Sequence, residues 1–115
     1  MDWTPGRKKS FIVSALRTGA RRWPPKYETL LESCTGQKIN LKSGRLAKHY
    51  TCAHCLEEFP AKDVEVDHID PVVSTSDGFM DWNVFIDRLF CPKENLQTLC
   101  KTCHKKKTKE ERTKR

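Results

Sequence analysis

The chain has no run of about 18 apolar residues, the minimum for a helix that crosses a bilayer, so no membrane span is expected. The N-terminus has no apolar stretch of the kind a secretory signal carries, so export is not expected either. Apolar material is scarce throughout: apolar residues make up 37% of the 115 and aromatics 9%, against 32% charged. One small domain fits this length. Its core is thin, and small domains bury too little apolar surface to be comfortably stable. A structural metal is a common remedy. There is no internal repeat and no separate second domain. Six cysteines in so short a chain would suit a disulfide scaffold in an exported protein. Without an export signal, a reduced cytoplasmic setting and metal thiolates are the expectation.

What is present is unevenly placed. The net charge is +7. Residues 1–26 and 101–115 each carry about +6, and the stretch between them carries −5. Basic ends around an acidic centre suit a polyanion held at the flanks and a cation held in the middle. Solvated basic tails would give the same count.

Along the chain, Thr4-Pro5 reads as an N-cap with proline at the first helical position. Phe11, Ile12, Ala15 and Leu16 then mark one helical face, with Gly19 as a stop. Arg21-Arg22-Trp23-Pro24-Pro25 is a basic, stiff connection. A second short helix is expected over 25–33, with Tyr27, Leu30 and Leu31 facing inward and Gly36 near its C-terminal stop. Residues 37–46 read as a polar connector. Residues 64–69 alternate with period two and predict a strand. A loop follows through Ser74-Thr75-Ser76-Asp77-Gly78. Asp81 caps an amphipathic helix carrying Trp82, Phe85, Ile86, Leu89 and Phe90. Residues 95–99 form a short extended piece, and from His104 the chain is expected to be helical.

Cys52-Ala-His-Cys55 and Cys100-Lys-Thr-Cys103 are two CxxC pairs. Zinc takes four thiolates in a tetrahedron, and each CxxC turn supplies two on one side of the ion. Cys52, Cys55, Cys100 and Cys103 are therefore the expected structural zinc ligands. The alternatives are a redox dithiol or disulfides. Cys34 and Cys91 are left over, as buried free thiols. The gap between the pairs holds 44 residues, longer than a usual zinc ribbon, so something is inserted. The insert contains Asp67, His68 and Asn95.

Asp67 and His68 are neighbours on the expected strand and point to opposite faces. One can bind a metal while the other faces a substrate. His104, directly after the last cysteine, opens a helix and can approach the same metal. One carboxylate and one imidazole leave an open coordination sphere, suited to Mg²⁺, Mn²⁺ or Ni²⁺. Taken singly, an Asp-His pair, an Asn before Leu96 or a His beside a cysteine could each be structural. Their joint occurrence is what points to a reaction centre.

Val66-Asp67-His68-Ile69, Asn95 through His104, and Lys107-Thr108 together resemble the HNH endonuclease family. Phe11 to Arg17, Arg22-Trp23-Pro24-Pro25 and Phe90-Cys91-Pro92 resemble its small bacteriophage-encoded members. The resemblance implies an α+β fold: a small ββα-metal (His-Me finger) core at 46–110, stapled by zinc, with an N-terminal basic helical extension at 1–45 packed on it and a basic tail at 111–115. It implies His68 as general base, Asn95 as the residue that holds the base loop, and Asp67 and His104 as catalytic metal ligands. Thr108 stands where some members have a further histidine ligand. A neutral histidine can take a proton from water near pH 7, and family members leave 5′-phosphate and 3′-hydroxyl ends. Asp70 is a candidate to orient His68.

The expected function is a metal-dependent DNA endonuclease, nicking or cutting both strands, in a host cytoplasm if phage-encoded. A non-catalytic zinc-stapled DNA-binding module is the alternative. Arg17, Arg21, Arg22, Lys105, Lys106 and Lys107 are the expected DNA contacts. Phage packaging proteins or a second copy of the chain are further candidate partners.

Overall fold

Thr4 opens the first helix as its type predicts: its hydroxyl accepts from the Arg7 N–H at 3.2 Å, and Pro5 stands first in α1, Pro5–Ala20. The computed structural model describes residues 3–73 and 78–113. Ser74 to Asp77 of the expected loop, and Lys114 and Arg115 of the expected tail, lie outside them. The packed stripe of α1 is Val13, Leu16 and Ala20, not the face through Phe11 and Ala15. Phe11 is 65% exposed and meets Trp3 edge-on, with ring centroids 6.1 Å apart. Spacing of i, i+3, i+7 is enough for one contact line, and α1 crosses the core only in its second half. Gly19 does not stop the helix, which runs one residue further.

The Trp23-Pro24-Pro25 link turns the chain into α2, Pro24–Ser33. Trp23 is anchored by its indole N–H, which donates to the Cys91 carbonyl at 2.7 Å, and by an edge contact with Phe90. Tyr27 and Leu31 were expected to face inward but are 58% and 73% exposed. The buried side of α2 is carried by Thr29, whose hydroxyl donates back to the Pro25 carbonyl.

The polar connector expected at 37–46 is instead half of a hairpin. β1, Cys34–Ile39, pairs antiparallel with β2, Leu46–Thr51, and β2 pairs with β3, Glu58–Pro60. Residues 34–45 are thus tied to the strand that leads into the first CxxC. Gly36 sits at a bulge with φ of 109°, a conformation open to glycine.

β4, Val64–His68, and β5, Leu96–Cys100, form a separate antiparallel pair running from Val64↔Cys100 to His68↔Leu96. α4, Lys101–Thr113, follows β5 without a break. It begins three residues before the expected start, so the second CxxC lies across its first turn. α3, Trp82–Leu89, is capped by Asp81, whose carboxylate accepts the Val84 N–H at 2.8 Å.

The core is split as the thin composition requires. One cluster joins α1 to α3 through Ala20, Val72, Phe85 and Leu89. The other is made of Cys52, Leu99, Cys100 and Cys103, with Phe59 against it. Three of the expected zinc ligands are therefore also core residues. Among the described residues, no helix is long and apolar enough to cross a membrane.

Candidate active site

The first CxxC is held by backbone bonds. Cys52 N–H donates to Glu57, Leu56 N–H returns to Cys52, and Ala53 N–H donates to Thr98 on β5 at 2.8 Å. Leu56 adopts a φ of 65°, a left-handed residue that closes the turn. On the other side, the Cys103 N–H at the start of α4 donates to Cys100 Sγ at 3.4 Å, where helix amides favour negative charge. The four sulfur atoms all lie within 4.8 Å of one another. Tetrahedral zinc with bonds of about 2.3 Å needs sulfurs about 3.8 Å apart. Donor set and spacing fit, and the four cysteines are positioned to bind one metal ion.

The thiols feel one another. Cys103 is pushed up to about 12, first by its contact with Cys100 and then by burial. For Cys52 burial acts upward, but hydrogen bonds from the backbone at Cys100, Cys55 and His54 prevail and draw it down to about 6. Cys91 is buried and Cys34 half-buried; both are free thiols. Cys34 is thus less enclosed than expected.

The β4–β5 ladder carries this cysteine cluster at one end and Asp67-His68 at the other. Cys100 and Leu96, the partner of His68, are four residues apart, or about 13 Å along a strand. At the far end the side chains face a cleft of about 620 Å³ lined by Asp67, His68, His104 and Thr108 among others. On α4 the lining residues His104, Lys107, Thr108, Glu111 and Arg112 fall at i, i+3, i+4, i+7, i+8, one face of the helix. Thr108 therefore lies on the site face, as the position expected of a further ligand should.

His68 is half-buried, and its Nε2 lies 3.0 Å from the Leu89 carbonyl. A carbonyl only accepts, so Nε2 carries the proton, and Nδ1 is the acceptor nitrogen of the neutral ring. Burial holds the ring below its ordinary pKa of 6.5, against the pull of the Leu89 carbonyl; Lys26 and Arg17 act with burial and Asp67 against it. The segment after His68 is pinned by Asn95. The Ile69 N–H donates to the Asn95 backbone carbonyl at 2.8 Å, and the Asp70 N–H donates to Asn95 Oδ1 at 3.0 Å. Asp70 enters through its backbone.

Asp67 Oδ2 accepts from Gln97, its cross-strand partner, at 3.2 Å and lies 2.9 Å from Lys107 Nζ. Its Oδ1 faces His104 Nε2 at 3.6 Å. The other ring nitrogen, Nδ1, lies 3.1 Å from Glu65 Oε2. In a neutral ring that contact places the proton on Nδ1 and leaves Nε2 as an acceptor opposite a carboxylate oxygen. Two acceptors facing across 3.6 Å suit a cation between them, because bonds of about 2.1 Å on each side span up to about 4.2 Å. The residues present fit a divalent ion with an otherwise open coordination sphere.

Lys107, expected among the DNA contacts, is turned into this network. It donates to the His68 carbonyl at 2.7 Å and pairs with Asp67 and Glu111. Burial works against its charge, but Glu111 and Asp67 prevail and hold its pKa above that of an ordinary lysine. Arg17, Arg21, Arg22, Lys105 and Lys106 are exposed. Sequence reasoning missed Glu65, Gln97, Lys107 and Lys26 as neighbours of the site. Glu65 had a signal: it stands two residues before Asp67, on the same strand face.

A sequence profile of the HNH endonuclease family matches residues 92–110, the segment from Pro92 through Asn95, the second CxxC and His104. A protein of Lactococcus phage SK1 described as "Probable HNH endonuclease" is 47% identical over 60 residues. The alignment covers 52% of this chain and 55% of the phage protein, so the chain spans about half the length of that relative. No solved structure matches significantly.

Proposed function

We propose that this chain, a phage-type member of the HNH family, hydrolyses phosphodiester bonds of DNA in the cleft between β4, α4 and the N-terminal helices. The β4–β5 pair and α4 then form its ββα-metal core, and Cys52, Cys55, Cys100 and Cys103 hold a structural Zn²⁺.

The observation that carries the reading is the joint placement of three groups at one end of the β4–β5 ladder. His68 offers Nδ1 as a base while Leu89 holds its Nε2 proton. Asp67 and His104 face one another across a gap of ion size. In the reaction His68 takes the proton from the attacking water, and its depressed pKa keeps it free to do so at neutral pH. Asn95 fixes the backbone after the base, so the ring does not drift from the phosphate. Asp67 and His104 hold a divalent cation (Mg²⁺, Mn²⁺ or Ni²⁺), which when bound stabilises charge on the phosphate and the leaving oxygen.

Purified protein with Mg²⁺, Mn²⁺ or Ni²⁺ is expected to relax or linearise supercoiled plasmid, and EDTA to stop it. His68→Ala is expected to abolish cleavage and keep DNA binding. The hold of Lys107 on Asp67 favours a second reading, a non-catalytic DNA-binding module in which the ammonium takes the place of the ion. Identical plasmid patterns from wild type and His68→Ala with every metal would overturn the enzyme reading and leave the second.

A further inference from the structure

Two cations on the cleft come from outside the β4–β5–α4 unit and, among the described residues, pair with no acid. Arg17 of α1 and Lys26 of α2 line the cleft that holds Asp67, His68 and His104. The acids there, Asp67 and Glu111, are engaged by Lys107. Among the described residues, neither Arg17 nor Lys26 forms an ion pair; Arg17 rests over the Phe85 ring, 5.7 Å from its centre.

Lys26 is in an adverse place for a charge. It is half-buried. It stands third in α2, whose first turn carries no acid, where the helix dipole disfavours a cation. Its surroundings press its pKa below the ordinary lysine value: burial first, then Arg17 and Arg21, with the Cys91 thiol alone acting the other way. A lysine placed against burial, dipole and two arginines is stabilised by an anion that enters from the open cleft. Clusters of this kind concentrate at functional sites. The anion belongs to the substrate if the cleft handles nucleic acid, because phosphate oxygens are what clustered Lys and Arg recognise.

We propose that Arg17 and Lys26 form a phosphate subsite that grips the backbone of the nucleic-acid strand beside His68. The proposal rests on the nuclease reading and extends it: the N-terminal helices become part of the reaction centre rather than an appendage. Both residues line the same cleft as His68, so the phosphate they hold belongs to the strand that lies along that cleft.

The test pairs two measurements on the full chain. Binding of a short fluorescent DNA duplex is followed by anisotropy in EDTA across a salt series, and plasmid cleavage is followed with Mn²⁺. Each lost phosphate contact lowers the slope of log affinity against log salt by about 0.9, so Lys26→Gln and Arg17→Gln are each expected to lose about one unit of slope and about tenfold in affinity at low salt. Lys26→Gln is also expected to lose at least about tenfold in kcat/KM, while Lys26→Arg keeps the charge, the slope and most of the rate. Lys62→Gln, an exposed site away from the cleft, serves as the control for general charge.

If wild type cleaves and Lys26→Gln matches it in slope and rate, the subsite is wrong and the nuclease reading stands. If no metal supports cleavage but Lys26→Gln and Arg17→Gln still lose slope, the nuclease reading fails and the phosphate subsite stands. Should Lys26→Gln fail to fold, Arg17→Gln and Lys26→Arg decide. A slope lost in the first and kept in the second supports the subsite, and equal slopes overturn it.

Discussion

Glu65 Oε2 lies 3.1 Å from His104 Nδ1, so the ring whose other nitrogen faces Asp67 is held from behind by a second carboxylate of the same strand. Such a carboxylate fixes the tautomer and orientation of a ligating histidine, and its loss typically costs about 10- to 100-fold in metal affinity. Glu65→Ala is expected to weaken Mn²⁺ binding by that amount, measured by calorimetry in a His68→Ala background. Glu65→Gln, which still offers an acceptor, is expected to lose less. Equal Mn²⁺ affinity in all three proteins would remove Glu65 from the site.

The pH response follows from His68. Burial sets its folded-state pKa below 6.5, so the ring stays neutral to lower pH than a free histidine. The depressed value means that the unfolded chain binds the proton first. The stability contributed by neutral His68 is therefore present above about 6.5 and is lost as pH falls toward the folded-state value. An NMR titration of the metal-free protein is expected to place the His68 midpoint below 6.5, and Lys26→Gln to move it upward. A wild-type midpoint at or above 6.5 contradicts the burial argument.

The two metal centres are expected to separate on chelation. Gentle EDTA treatment strips the divalent ion and stops cleavage, while elemental analysis still finds one zinc per chain. Cys100→Ser is expected to abolish cooperative thermal unfolding, because structural zinc contributes about 10–16 kcal/mol in small domains at neutral pH. His104→Ala is expected to leave the fold in place and to abolish cleavage. Zinc loading is expected to release protons, since a thiol such as Cys103, pushed up to about 12 by its neighbour Cys100, must ionise to bind. Active, reduced protein free of zinc would refute the staple.

Asn95 separates position from chemistry. Asn95→Ala deletes the acceptor for the Asp70 N–H, and the lost hydrogen bond is worth about 1 kcal/mol of stability. Cleavage is expected to fall by far more than that, about 100-fold, because the loop behind the base loosens. Asn95→Asp restores an acceptor and is expected to recover part of the rate. A rate loss in Asn95→Ala no larger than its loss of stability would make it an ordinary turn residue.

The parts of the fold that the sequence disclosed are the ones written in local contacts. The Thr4 cap, the Asp81 cap with its apolar period, the alternation of β4 and both CxxC turns are each carried by a few consecutive residues. β1 stayed hidden because residues 35–39 are exposed on both faces; a strand without an apolar side has no period to read, and only pairing with β2 defines it. The site-facing stripe of α4 stayed hidden for a related reason. His104, Lys107, Thr108 and Glu111 are all polar, so their helical spacing leaves no hydrophobic signature. Lys26 looked like one basic residue in a basic end. Its character comes from what three elements bring around it, which no window of sequence contains.

Cys103 and His104 are consecutive residues in the first turn of α4, and consecutive positions on a helix differ by about 100° in direction. The same step that sends a thiolate into the cysteine cluster sends an imidazole toward β4. Inserting a single residue between them would swing every later side chain of α4 by that angle and carry His104, Lys107 and Glu111 away from Asp67 together. The helix thus works as a fixed protractor between the two centres. Lineages carrying this arrangement are expected to tolerate substitutions along α4 far better than insertions or deletions before Glu111.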